Sequence, residues 1–295
     1  SGVSGSGKST LVRDVLYPAL SSAIDQSVTQ SQGKYNELTG DTGAVSVIEY
    51  INQSPIGRSS RSNPVTYIKA YDSIRKLYTS QQSAKIKGFK PNHFSFNTDG
   101  GRCENCLGDG YITVEMQFLA DVQLTCEDCK GKKFKEEVLD VTYKDKNIYD
   151  VLTMTVDEAL IFFEARKDIY NKLKPLQDVG MGYVALGQSS STLSGGEAQR
   201  VKLASFLSKS SYKDHIFFIF DEPTTGLHFH DVVKLLKALN ALIEKGHTVL
   251  VVEHNLDVIK SADWLIELGP EGGKNGGHLI YQGDPRGILK VKKSA

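Results

Sequence analysis

The chain has 295 residues, 40% of them apolar and 24% charged, and its 35 basic residues balance its 35 acidic ones. That is the composition of an ordinary globular protein, long enough for a full core and two domains. No run approaches the roughly 18 apolar residues of a membrane span, and zero net charge restricts any nucleic-acid contact to a local patch.

In chain order, Gly2-x-x-x-x-Gly7-Lys8-Ser9 comes first. Its glycines let the backbone curl until several N–H groups converge on one phosphate, as in a P-loop. Lys8 adds a charge for the β- and γ-phosphates, and the Ser9 hydroxyl can ligate Mg²⁺. Ser4, Gly5, Ser6 and Thr10 complete the cradle. Apolar residues at Leu11, Val12, Val15 and Leu16 predict a helix over residues 9–20, whose N-terminus favours the anion further. A P-loop normally hangs from a buried strand. Because residue 1 already lies in the loop, the sequence reads as a fragment lacking a hydrophobic strand.

Residues 45–51 alternate and are β-branched, predicting a strand that ends near Gln53. Residues 54–64 are turn-rich. Between Ile51 and Arg102 there are nine basic residues against two acidic ones, a local excess of +7 balanced by −7 elsewhere. Tyr67, Tyr71, Tyr78, Phe89, Phe94 and Phe96 are interleaved with these charges, a pattern suited to phosphate contacts and base stacking.

Cys103-x-x-Cys106 and Cys126-x-x-Cys129 follow, separated by 19 residues. This spacing fits a closed four-thiolate zinc site, structural rather than catalytic, and suits a reducing, cytoplasmic compartment. His93 reads as a loop residue outside the full ligand set. Residues 111–118 and 138–143 look strand-like, and residues 156–163 and 167–179 look helical.

In Leu193-Ser194-Gly195-Gly196-Glu197-Ala198-Gln199-Arg200 a hydroxyl and two glycine N–H groups stand at the start of a helix running through Leu207, a second anion cradle. The apolar run 216–220 reads as a buried parallel strand closed by Asp221, a carboxylate for Mg²⁺. Glu222 follows, placed to orient or deprotonate an attacking water. Helices over 231–243 and 255–261 and strands over 248–252 and 264–268 complete an alternating α/β pattern.

The P-loop, the Leu-Ser-Gly-Gly-Glu string and Asp221-Glu222-Pro223-Thr224-Thr225-Gly226-Leu227-His228 together resemble an ATP-binding-cassette ATPase. The resemblance implies a P-loop NTPase α/β core with an inserted signature subdomain carrying the zinc module. It implies core residues 1–54 and 193–295 and an insertion over 55–192. Gln53 would sense Mg²⁺ and the attacking water, His254 would touch the γ-phosphate, and Thr225, Gly226 and Leu227 would meet a partner lobe. ATP, Mg²⁺ and Zn²⁺ are the implied cofactors.

Asn52–Arg58, Arg61–Pro64, Phe94–Asn97, Gly101–Glu104, Leu193–Ala204 and Pro223–Phe229 resemble, more closely, the UvrA family of bacterial nucleotide excision repair, in its carboxy-terminal cassette. That implies a homodimer with a first cassette in the same chain, lesion-bearing double-stranded DNA as ligand, and UvrB as partner. Arg58, Arg61, Lys69 and Arg75 are the implied DNA-contacting candidates. Ser59-Ser60 departs from the family's common Thr-Pro. The competing expectations are a relative acting in drug resistance or export, and a zinc-dependent DNA-binding scaffold with weak ATPase. The lack of an apolar span weighs against export, and intact Lys8, Ser9, Asp221 and Glu222 weigh against the scaffold.

Overall fold

The structure is a computed structural model, and it describes residues 1–25, 33–57, 61–116, 121–208, 214–291 and 294. The chain splits into two compact units, Ser1–Ser54 with Lys209–Ala295, and Pro55–Ser208. The sequence places the second boundary after residue 192. The contacts place it after Ser208, because the helix Gly195–Leu207 buries Ala198, Val201, Leu203 and Ala204 within the Pro55–Ser208 unit.

The first unit is a mixed α/β body. Strands β1 (Val47–Ile51), β6 (Ile216–Asp221) and β7 (Thr248–Val252) form a parallel sheet in the order β1-β6-β7. Registers Ile51↔Phe220 and Asp221↔Val252 bring the carboxyl ends of all three strands to one edge, where open α/β sheets gather ligands. On one face Val12 packs with Ile219 and Val252, flanked by Tyr17, Ile48 and Tyr50. The helix Phe229–Glu244 buries Val232, Leu235, Leu239 and Leu242 at helical spacing.

The predicted helix after the P-loop runs longer, as successive segments Lys8–Thr10, Leu11–Leu16 and Tyr17–Ile24. Its middle segment is a π-helix, with Tyr17 N–H bonded to the Val12 carbonyl. Pro18 has no N–H to offer Asp14, four residues back, and its ring crowds that carbonyl. The Asp14 carbonyl accepts instead from Gly33 N at 2.8 Å.

Strands β8 (Leu265–Gly269) and β9 (His278–Gly283) pair antiparallel. Gly2 forms a parallel bridge to Leu268, and Leu268 N donates to the Ser1 carbonyl at 3.0 Å. An apolar cavity of about 610 Å³ is lined by Val249 and Val251 of β7 and by Trp264, Leu265, Ile266 and Leu268.

The second unit is mainly helical. Pro64–Tyr67, Ala70–Thr79 and Gln82–Ile86 lie where the sequence predicts only a basic run and strand-like pieces. The helix Ala70–Thr79 buries Ala70, Tyr71, Ile74, Leu77 and Tyr78, a helical spacing beneath the surface charges. The strand expected over 138–143 is instead a helical turn, Glu136–Leu139, followed by a two-residue strand, β4 (Thr142–Tyr143), paired with β5 (Lys146–Asn147). Val138 and Val141 are both fully buried three residues apart, which a strand cannot arrange on one face. Among the described residues no helix is long and apolar enough to cross a membrane.

Candidate functional site

The P-loop has the backbone its glycines require. Gly5 and Gly7 have φ of 76° and 90°, and a Cβ on Gly2 (φ 130°) would lie 1.9 Å from the Leu268 carbonyl oxygen. Lys8 is buried, and its ammonium donates to the Gly2 and Val3 carbonyls at 2.9 and 2.8 Å, which holds it within the loop. Ser6 Oγ is buried and makes no hydrogen bond among the described residues. A cationic, hydroxyl-bearing loop at a helix N-terminus is a donor set for phosphate oxygens. Ser4 and Thr10 are exposed.

From this loop the helix carries Ser9 to the sheet edge, where Ser9 Oγ donates to Asp221 Oδ1 at 3.0 Å. A cavity of about 430 Å³ opens there, lined by Ser9, Tyr50, Gln53, Asp221 and Glu222, with Arg13, Asn52 and Ser54. A hydroxyl beside a carboxylate is hard-oxygen chemistry and fits Mg²⁺. Glu222 has φ 48°, the left-handed region that non-glycine residues seldom occupy. Its N–H bonds the Val252 carbonyl at 2.9 Å and its carbonyl accepts from Thr225 N at 3.2 Å, so both strand β7 and the following turn hold it there. Strain of this kind gathers at functional sites.

Sequence reasoning missed two residues of this site. Tyr50, at the end of β1, donates its hydroxyl to Asp221 Oδ2 at 2.8 Å. Burial, then the hydrogen bond to Asp221, push its phenol well above the ordinary range, so it remains a donor. Glu253 is buried, at 2% exposure. One carboxylate oxygen accepts from Thr224 N (2.8 Å) and Thr224 Oγ1 (2.5 Å). The other accepts from His254 N (2.9 Å) and Asn255 N (3.1 Å). Glu253 thus ties the turn after Glu222 to the turn bearing His254, whose own side chain is exposed and lies outside the cavity lining. The Val-Val-Glu-His string carries Glu253 as its only signal.

In the second unit Ser194 caps the helix Gly195–Leu207 in a capping box. Its backbone N–H and hydroxyl donate to Glu197 Oε2 at 2.7 and 3.0 Å, while Glu197 N donates to Ser194 Oγ at 3.3 Å. Tyr183 donates to the other oxygen of Glu197 at 2.5 Å. Ser194 stands exposed at the tip, and Gly196 is buried behind it.

Cys103, Cys106, Cys126 and Cys129 converge, all four sulfurs within 4.8 Å of one another. Cys103–Cys126 and Cys106–Cys129 sulfur separations are 3.8 and 3.6 Å. A tetrahedral site with Zn–S bonds of about 2.3 Å has edges of about 3.8 Å, so the thiols fit Zn²⁺. Gly110 N donates to Cys106 Sγ at 3.2 Å, and Cys103 N and Cys126 N are held by the Lys133 and Gly110 carbonyls. From this knot projects an antiparallel ribbon, β2 (Tyr111–Val114) and β3 (Val122–Thr125). His93 stacks on Phe89 at 5.0 Å, apart from the thiols.

The basic run divides. Arg61 pairs with Asp109 at 3.3 Å, Arg75 pairs with Asp72 and lies over the Tyr71 ring, and Lys69 is exposed. Arg58 lies outside the described residues. Of the aromatics read as stacking groups, Tyr71, Tyr78, Phe94 and Phe96 are buried. Tyr71 and Tyr78 spend their hydroxyls on the Phe94 and Lys146 carbonyls. These four belong to the unit's core, since a small helical unit must bury its largest apolar rings.

Comparison with family models finds no match. Among curated proteins the chain is 55% identical to UvrABC system protein A of Clostridium perfringens and 54% identical to that of Staphylococcus aureus (strain COL), over 99% of its own length. It spans 31% of the length of those relatives. Among solved structures it superposes on UvrA2 from Deinococcus radiodurans with a TM-score of 0.89 at 43% identity, covering 100% of this chain and 35% of that one. Sustained over nearly the whole chain, this likeness is to a segment of the carboxy-terminal half of UvrA-family proteins.

Proposed function

We propose that the chain is the second ATPase cassette of a UvrA-type protein, coupling ATP binding and hydrolysis to recognition of damaged DNA and handover to UvrB. The observation that carries this is the convergence of Ser9, Asp221, Gln53 and Glu222 on one cavity beside a P-loop, in a chain 55% identical to UvrABC system protein A.

In this reading Gly2–Thr10 wraps the β- and γ-phosphates, with Lys8 as the fixed charge. Mg²⁺, held by Ser9 and Asp221, would neutralise charge on the phosphate oxygens. Glu222 orients and deprotonates the attacking water, Gln53 positions it, and His254 reaches the γ-phosphate. Ser194, Gly195, Gly196 and Glu197 form the cradle that a signature motif offers to the P-loop of another cassette, so a complete site needs two cassettes. Thr225, Gly226 and Leu227 would face that partner. The four thiols hold Zn²⁺ as a structural pin, and Arg61, Lys69, Arg75 and Arg58 face the phosphates of duplex DNA. For Arg61 and Arg75 that role requires exchanging Asp109 and Asp72 for phosphate.

The test is binding of damaged and undamaged duplexes by the intact UvrA-type protein, with ATP, with ADP, and with Lys8→Ala. Nucleotide-dependent preference for the lesion, reduced by Lys8→Ala, is expected. Equal affinity for both duplexes in every nucleotide state would refute the reading.

A further inference from the structure

We infer that Tyr50 is a positioning residue for the metal-binding carboxylate: its hydroxyl fixes the rotation of Asp221 so that the carboxylate meets a divalent cation already oriented. The inference rests on the proposed ATPase reading and adds a residue to it.

Three observations fix the phenol itself. Tyr50 is held in β1 by parallel pairing opposite Ile219 of β6, the strand that ends in Asp221. Its ring lies 5.4 Å from that of Tyr17, tilted by 40°. Both rings pack against the Val12, Ile219 and Val252 cluster. The hydroxyl therefore approaches Asp221 Oδ2 from a rigid sheet rather than from a loop. On the other side Ser9 Oγ, on the helix behind the P-loop, holds Oδ1. Ser9 on Oδ1 and Tyr50 on Oδ2 thus set the carboxylate plane from two independent elements.

Apolar packing alone does not call for this hydroxyl. Phenylalanine would fill the same space against Tyr17 and the Val12, Ile219 and Val252 cluster. A phenol beside a carboxylate is a means of orientation, because each carboxylate oxygen has two lone pairs. Accepting from Tyr50 leaves Oδ2 able to accept again, from a metal-bound water or the ion. Partners of this kind typically contribute ten- to a hundredfold to metal affinity or activity. Tyr50 touches neither phosphate nor cation in this arrangement; it acts through Asp221.

The experiment compares the intact UvrA-type protein with its Tyr50→Phe variant by titrating Mn²⁺ in the presence of a non-hydrolysable ATP analogue, following bound Mn²⁺ by electron paramagnetic resonance. Affinity for the analogue in excess EDTA is measured in parallel. The expected result is a rise of about tenfold in the Mn²⁺ concentration at half-saturation, with metal-free analogue affinity unchanged. An unchanged Mn²⁺ half-saturation overturns the role of Tyr50 while leaving the ATPase reading intact. Equal losses in both titrations assign Tyr50 to packing and also overturn it. Failure of the intact parent protein to bind Mn²⁺ with the analogue overturns the ATPase reading, and the role of Tyr50 with it.

Discussion

Glu253→Gln tests whether a buried carboxylate holds the two turns of the site together. Four donors converge on Glu253: Thr224 N and Oγ1 on one oxygen, His254 N and Asn255 N on the other. Glutamine has the same shape but only one acceptor oxygen, so it keeps one pair and turns an NH₂ towards the other. Losing two bonds to an ionised acceptor costs about 1.5–3 kcal/mol each. Relief from desolvating the carboxylate offsets part of this, leaving a net loss on the order of 2–4 kcal/mol. For a unit of this size that lowers the melting temperature by about 5–15 °C. Thermal melting reads the total, and native-state hydrogen exchange locates it. Protection should fall at the amides of Thr224, His254 and Asn255, while the amides of β6 follow only the global change. Melting within about 1 °C of the parent, with those three amides equally protected, would refute the tie.

Glu222→Gln should retain nucleotide binding while turnover by the assembled protein falls about 10²–10⁴-fold, measured in a single-turnover assay; unchanged turnover would remove Glu222 as the base. Elemental analysis should find one zinc per chain, and Cys126→Ser or chelation should unfold the β2–β3 ribbon and its knot, seen as lost exchange protection there; a metal-free preparation with an equally protected ribbon would contradict the assignment. His247, buried and accepting from Ile216 N at 3.3 Å, has its pKa lowered by burial, then by His215 and Lys245. The unfolded chain therefore takes up a proton that the folded one resists, and this contribution to stability, full above the ordinary value of 6.5, is lost as pH falls below it. Melting at pH 5.5 against 7.5 should show the acid-induced drop, smaller in His247→Asn; equal drops would exclude His247.

Motifs that specify local backbone were legible in the sequence. Gly5 and Gly7 are needed for positive φ, and Ser194 with Glu197 three residues later spells a capping box, so the first loop and the helix cap take the form their spacing dictates. The cysteine spacing likewise fixes which sulfurs meet. Where charge and burial share one segment, the reading failed. In Ala70–Thr79 the basic residues drew attention to the solvent face, while Tyr71, Ile74 and Tyr78 mark a core face at helical spacing. Within that helix the aromatic-basic pattern is two faces of one amphipathic element, with Tyr71 and Tyr78 turned inward. In the same way the β-branched Val138 and Val141 imitate a strand, though their separation of three is helical.

Tyr50 and Glu253 stayed hidden for a different reason. Each acts on a residue distant in sequence, 171 positions away for Tyr50 and Asp221, and 29 for Glu253 and Thr224. No local pattern encodes such a pair, because the register of a parallel sheet, not spacing along the chain, decides which side chains meet. The two residues also do different work at one strand end. Tyr50 orients the acid that closes β6, from the β1 side. Glu253 anchors the turn that leaves β6, from the β7 side. The edge of the three-stranded sheet is thus braced from both neighbours at the point where Glu222 is held in its left-handed conformation. A strained residue persists only where its surroundings over-determine it. Relaxing either brace should therefore release Glu222 before it unfolds the sheet, so Glu253→Gln is expected to impair turnover at temperatures well below its own melting transition.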